Sequence, residues 1–292
     1  MTLERTIPPP MRDPHPPTRF DPPAGACDAH CHVFGPARRF PFAPDRAYTP
    51  PDSGFEELVA LHDRMGLTRA VLVQASCHGT DNSALLDALR RARGRLAGVA
   101  MIDETTDDEQ LAEMHEVGVR GIRFNFVRHL EERVGAARVL ALAERVSSLG
   151  WHVELHFDAE QIPGHRELFD RLDAPFIIDH MGRVKASGGL DQEPFRFLRE
   201  LLAGEERAWV KVSGAERLTV SGPPYEDVAP LARALIDVAP DRILWGTDWP
   251  HPNVPQMPDD GDLVDLLADF APDQGTRNRI LVDNPQRLYD FG

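Results

Sequence analysis

Histidine and aspartate recur in this chain in short stretches that close apolar runs. Asp28-Ala29-His30-Cys31-His32 belongs to the first run, Glu154-Leu155-His156 to the fifth and Ile178-Asp179-His180 to the sixth. Gly246-Thr247-Asp248-Trp249-Pro250-His251 follows the eighth. Residues two apart on a strand face the same way, so His30 and His32 share one side and Cys31 takes the other. Imidazoles and a carboxylate gathered in one place suit two chemistries. They hold zinc or another divalent ion. Without metal they polarise a carbonyl directly, with Asp248 as general base on a water. A lone histidine at a strand end is more often a hydrogen-bonding residue. His30, His32, His156, His180 and Asp248 at matched positions argue for a site.

Arginines fall near the same ends. Arg123 lies at the fourth run, Arg128 in the loop after it, Arg183 after the sixth and Arg217 after the seventh. Guanidinium grips carboxylates or sulfonates bidentately, as lysine does not. Tyr48 and Ser76 add hydroxyl donors. In a chain with 47 acidic residues each arginine has a competing use as a surface ion-pair partner. Lys211, in Val-Lys-Val-Ser-Gly, is left between two readings, an interior ion pair or a substrate neighbour.

The elements that must position these groups alternate along the chain. Short apolar runs at 26–33, 70–74, 97–102, 121–126, 151–157, 176–179, 209–212 and 243–245 read as strands. Amphipathic stretches near 54–65, 82–93, 107–117, 136–149, 163–172, 192–203, 227–239 and 261–289 read as helices. Strands apolar on both faces suit a parallel sheet covered by helices. Eight repeats predict a closed α/β barrel, a distorted (β/α)8 TIM barrel, over residues 25–292, with an open doubly wound sheet as the alternative. In such a barrel the carboxyl ends of the strands carry the site. Residues 1–24 hold eight prolines and read as an extended arm, surface-hugging or disordered.

Composition narrows the partners. With 32 basic and 47 acidic residues the net charge is −15, which argues against nucleic acid and anionic membrane as main partners. A small anion is still admissible, because convergent arginines within a Debye length of about 8 Å outweigh distant screened charge. Three cysteines, Cys27, Cys31 and Cys77, point to free thiols in a reducing compartment. The start has no signal-peptide core, and no run of about 18 apolar residues exists, so a cytoplasmic location is expected.

The motifs Asp28–Phe34, Ile178–Arg183 and Trp245–Pro252 resemble the amidohydrolase superfamily, and within it the 2-pyrone-4,6-dicarboxylate lactonase branch. Val73–Asn82 and Gly121–Phe126 extend the resemblance to about nine tenths of the chain. It implies a distorted barrel that hydrolyses a cyclic ester. Asp248 would activate water while His30, His32 and His180 polarise the lactone carbonyl. Substrate carboxylates would sit against Tyr48, Ser76, Arg123, Arg183 and Arg217.

The chain departs from that lactonase pattern at His156, where the branch carries Tyr, and at His129, where it carries Arg. Histidine at the fifth strand is what metal-binding relatives use. One zinc or other divalent ion on His30, His32, His156 and Asp248 is therefore an alternative to a metal-free site. 4-Sulfomuconolactone is an alternative substrate, and lactone isomerisation or decarboxylation alternative reactions. A non-catalytic small-anion sensor is the reading from outside enzymology.

Overall fold

Strands with no polar face need helices on one side and each other on the next. The computed structural model describes residues 6–130 and 134–291, without the side chain of His129, so the departure at His129 lies outside the described residues. Eight strands run parallel and neighbour one another in chain order. They are β1 (Cys27–Cys31), β2 (Arg69–Val73), β3 (Leu96–Ala100), β4 (Val119–Asn125), β5 (His152–His156), β6 (Phe176–Ile178), β7 (Ala208–Lys211) and β8 (Ile243–Leu244). The edges meet: Ala29 N donates to Trp245 O at 2.8 Å, and His32 N to Trp249 O at 2.8 Å. The sheet is thus the expected barrel rather than an open one.

The helices fall where apolar periodicity places them. α1 (Phe55–Met65), α2 (Ser83–Ala92), α3 (Asp108–Glu116), α4 (Ala136–Ser147), α5 (Arg166–Arg171) and α6 (Glu193–Gly204) follow β1 to β6. α7 (Ala215–Leu218) is a single turn at the end of β7, and α8 (Ala229–Val238) completes that connection. Two caps show why α1 has these ends. Gly54 N donates to Glu57 Oε2 at 2.9 Å, and Gly66 takes the left-handed conformation at φ 71°. The single helix expected over 261–289 is instead a series of short segments beginning with α9 (Asp260–Asp265). A proline at 272 removes a backbone donor inside that stretch.

Two cores result. Val153, Leu155, Phe176, Ile178 and Val210 point outward into the helix layer. Val71, Val99, Ile177, Trp209 and Leu244 fill the barrel floor, plugged by Tyr289 and Phe291. The floor leaves the upper barrel to polar side chains.

The described part of the proline-rich arm lies along the barrel. Thr18 N and Oγ1 and Arg19 N all donate to the carboxylate of Asp265 in α9, at 2.8, 2.6 and 2.9 Å. Ile7 N donates to Thr49 O at 3.2 Å, and the Ile7 side chain is buried with Phe34, Tyr48 and Ala75.

Candidate active site

Strand alternation alone would set Ala29 and His30 on opposite faces. A bulge changes that: Asp28 pairs with Ala70 and Cys31 with Leu72, so β1 has one extra residue between them. Cys27 and Ala29 therefore join the barrel floor, while Cys31 packs among the helices. His30 and His32 both enter the mouth, as their spacing predicts. Asp28 turns outward. It accepts from His62 Nε2 of α1 at 3.1 Å, from Thr247 N and Oγ1 at 3.0 and 2.6 Å, and from His30 N at 3.1 Å. It thereby ties β1 to the segment that carries Asp248. Gly246 permits this approach, since a Cβ there would stand 2.4 Å from His30 N.

Asp248 is the hub. It is buried and held in the left-handed region at φ 65°. Its Oδ1 lies 3.1 Å from His32 Nε2, 3.6 Å from His30 Nε2 and 3.9 Å from His180 Nε2. Its Oδ2 accepts from Arg217 Nε at 2.9 Å and also from Arg217 Nη2. Burial works against the carboxylate's charge, but Arg217 and then the histidines outweigh it, holding the pKa well below the usual range. Asp248 is thus an ionised base.

Each histidine has its second nitrogen engaged. His32 Nδ1 faces Val73 O at 2.8 Å, and a carbonyl only accepts, so this nitrogen carries the proton. His32 Nε2 faces Asp248 Oδ1 at 3.1 Å, close enough for the two atoms to share a proton. His180 Nδ1 lies 2.9 Å from Ser213 Oγ. The His180 backbone is left-handed at φ 50°, and Gly214 lies against its ring, where a Cβ would meet the ring at 3.1 Å. Burial pushes His180 down to about 3, so it is neutral near pH 7. His156 faces Asn125 Oδ1 through Nδ1 at 3.1 Å and Arg183 Nη1 through Nε2 at 3.4 Å.

Beneath the mouth lies a charged layer that spacing left unread. Lys211 is fully buried, 2.5 Å from Glu154 Oε2 and 3.1 Å from His30 Nδ1. Arg123 donates through Nε and Nη2 to Asp179 Oδ2 at 3.0 and 2.9 Å and stands 3.6 Å from Glu154 Oε1. Burial and the nearby Asp179 charge push Glu154 up, against the pull of Lys211 and Arg123. Asp179 goes the other way: Arg123 and Lys211 overcome its burial and hold it well below the ordinary value. Lys211 thus takes the interior ion-pair role.

The predicted residues gather unevenly. His32, Tyr48, Ser76, Arg123, His156, His180, Arg183, Arg217 and Asp248 line one cavity. His30 is fully buried next to them, its Nε2 3.6 Å from Asp248 Oδ1. Arg183 is partly exposed there and 3.7 Å from Asp158 Oδ1. Arg128 does not join them; its side chain is 73% exposed beside Asp158 and Glu160. Ligand atoms of His30, His180 and Asp248 converge within 4.8 Å of one another, a candidate metal-binding group, whereas His156 turns toward Asn125 and Arg183. Asp28, Ser213 and Glu216 were missed by spacing. Ser213 had a signal, a polar residue two positions from the inward-facing Lys211, whereas Asp28, two positions from His30, is turned outward by the bulge. Glu216, 3.1 Å from Arg217 Nε, had none.

Comparison with known proteins gives the family and the same fold. The chain is 45% identical over 280 residues to 2-pyrone-4,6-dicarboxylate hydrolase of Comamonas testosteroni, covering 93% of this chain and 92% of that one. It is 45% identical over 277 residues to 4-sulfomuconolactone hydrolase of Hydrogenophaga intermedia, covering 94% and 91%. A crystal structure of a probable 2-pyrone-4,6-dicarboxylic acid hydrolase from Acinetobacter baumannii, with citric acid bound, superposes with TM-score 0.80 at 26% identity, covering 91% of this chain and 100% of that one. The Amidohydrolase family model matches residues 27–291. The chain belongs to the amidohydrolase family.

Proposed function

We propose that this protein hydrolyses an anionic lactone of aromatic catabolism, of the 2-pyrone-4,6-dicarboxylate type. One observation carries the reading: an ionised Asp248 stands among three imidazoles at the floor of a cavity lined by arginines. Simple anion binding needs no such base, which disfavours a sensor.

Asp248 Oδ1 takes a proton from water and shares it with His32 Nε2. The hydroxide oxygen bonds to the lactone carbonyl carbon, and the carbonyl oxygen gains the charge. Nε2–H of His30 donates to that oxygen, as does Nε2–H of His180 once Ser213 Oγ–H bonds its Nδ1, the kind of preorganised stabilisation worth about 10²–10³ per donor. Collapse breaks the ring C–O bond, and the proton on Asp248 goes to the departing oxygen. Arg183, Tyr48 and Ser76 are placed to hold the substrate's anionic groups, with Arg217 shared between substrate and Asp248. Arg123 lines the same cavity, but two of its donors are spent on Asp179, so it contributes mainly field.

Zinc on His30, His32, His156 and Asp248 fits less well. His156 is turned to Asn125 and Arg183, and His30 accepts at Nδ1 from Lys211, which puts a proton on the Nε2 that a metal would need.

The equal similarity to a 4-sulfomuconolactone hydrolase keeps that sulfonated lactone as a second substrate reading. Guanidinium groups grip sulfonate as well as carboxylate. The test is turnover of both lactones with and without chelator, followed by product mass. Hydrolysis adds one water and survives chelation; isomerisation adds nothing and decarboxylation loses carbon dioxide. No turnover of either lactone would defeat the reading. Among the described residues no helix is long and apolar enough to cross a membrane, and all three cysteines are free and buried. Free, buried thiols suit the reducing, cytoplasmic compartment expected for the chain.

A further inference from the structure

Lys211 is buried in the centre of the barrel, where an ammonium needs a reason to be. It has three N–H donors and no lone pair. It lies 2.5 Å from Glu154 Oε2, 3.1 Å from His30 Nδ1 and 3.6 Å from Asp179 Oδ1. The contact with His30 is bonding only if Nδ1 accepts. Two carboxylate oxygens stand near the same nitrogen, Asp179 Oδ1 at 3.4 Å and Glu154 Oε1 at 3.5 Å, but both are farther from it than the Lys211 ammonium, which can only donate. Nδ1 therefore carries no proton, and the neutral ring carries its proton on Nε2. That nitrogen is buried, has no hydrogen-bond partner among the described residues and faces Asp248 across 3.6 Å.

We infer that Lys211 is a positioning residue that fixes His30 as its Nε2–H tautomer, making His30 a donor to the substrate carbonyl and closing it as a metal ligand. A metal needs the lone pair of the nitrogen that faces it, and outer contacts decide which nitrogen has it. Here the outer contact is a cation. Glu154 holds Lys211 in place, and Arg123 holds Asp179 away from the His30 ring nitrogen through its Oδ2. Without Lys211, the Nδ1 proton would go to Asp179 Oδ1, 3.4 Å away. The Nε2 lone pair would then face His180 and Asp248, the arrangement that grips zinc. The carbonyl part of this inference rests on the lactonase reading; the tautomer does not.

The test needs no substrate. In the full chain labelled with 15N-histidine, and with His30 assigned by its loss in His30→Asn, Nε2 is expected protonated and Nδ1 not. A protonated Nδ1 overturns the inference, with no variant at Lys211 required. A second measurement uses Lys211→Met with Glu154→Leu, which removes the ion pair as a unit and leaves no lone buried charge from it. Zinc titrated into this variant is expected to bind about 10- to 100-fold tighter than to the unchanged protein. Lactone kcat is expected to fall with KM retained. Zinc affinity equal to or below that of the unchanged protein overturns the inference. If the unchanged protein opens no lactone, the functional reading fails, while tautomer and zinc affinity still decide the role of Lys211.

Discussion

Arg217 places two donors on the single oxygen Asp248 Oδ2, and this leaves Asp248 Oδ1 to the histidines. One carboxylate thus has an anchored oxygen and a working oxygen. The division explains how a buried acid stays ionised and still presents a lone pair to water.

Replacing Asp248 tests the working oxygen. Asp248→Asn keeps the shape and removes the base, so turnover should fall about 10²- to 10⁴-fold with the melting temperature little changed. Steady-state kinetics beside a thermal melt check this. Retention of most activity would show that the base lies elsewhere.

Replacing Arg217 tests the anchored one. Arg217 is the strongest influence favouring the charged form of Asp248. In Arg217→Met the carboxyl should titrate higher. The base must be deprotonated to act, so the acid limb of the kcat/KM profile should move to higher pH. A limb that stays put or moves down argues against this pairing in solution.

Arg183 and Arg128 should separate cleanly. Arg183 lines the cavity, whereas Arg128 lies outside it among solvent-exposed acids. Losing a charged hydrogen bond of about 1.5–3 kcal/mol should raise KM roughly 10- to 100-fold in Arg183→Met. Arg128→Ala should leave KM within about twofold, as expected for surface pairs. Equal effects at the two sites would contradict the assignment.

Acid should destabilise the barrel before its carboxylates titrate. Burial pushes both His152 and His180 from 6.5 down to about 3. The unfolded chain takes up these protons below pH 6.5, whereas the folded chain resists until about pH 3. Their contribution is therefore full above pH 6.5 and is lost as pH falls toward 3. Unfolding midpoints in urea should drop across that window, and His152→Gln should flatten the drop. A midpoint flat from pH 6.5 to 4 would refute the burial argument.

Asp265 is one anchor of the arm. Asp265→Ala removes the acceptor for Thr18 N, Thr18 Oγ1 and Arg19 N. Stability should fall by about 1–3 kcal/mol, and cleavage by protease should become faster near residue 18. Unchanged proteolysis would mean the arm is held by its other contacts.

Local chemistry was enough to read much of this protein. Apolar runs buried on both faces demand a covered parallel sheet, and eight of them close a barrel. The period of two set His30 and His32 on one face, and strand ends marked His156, His180 and Asp248. Three things were decided only in three dimensions. The bulge between Asp28 and Cys31 changes the phase of β1, and bulges leave no mark in a period-two pattern. The contact of His156 with Asn125 and Arg183, not with Asp248, depends on side chains from β4 and the β6 loop. The role of Lys211 depends on Glu154, Asp179 and His30, which are 57, 32 and 181 positions away in sequence. Electrostatic partners in a low-dielectric interior are chosen by distance through space, and the order of residues along the chain carries almost none of that information.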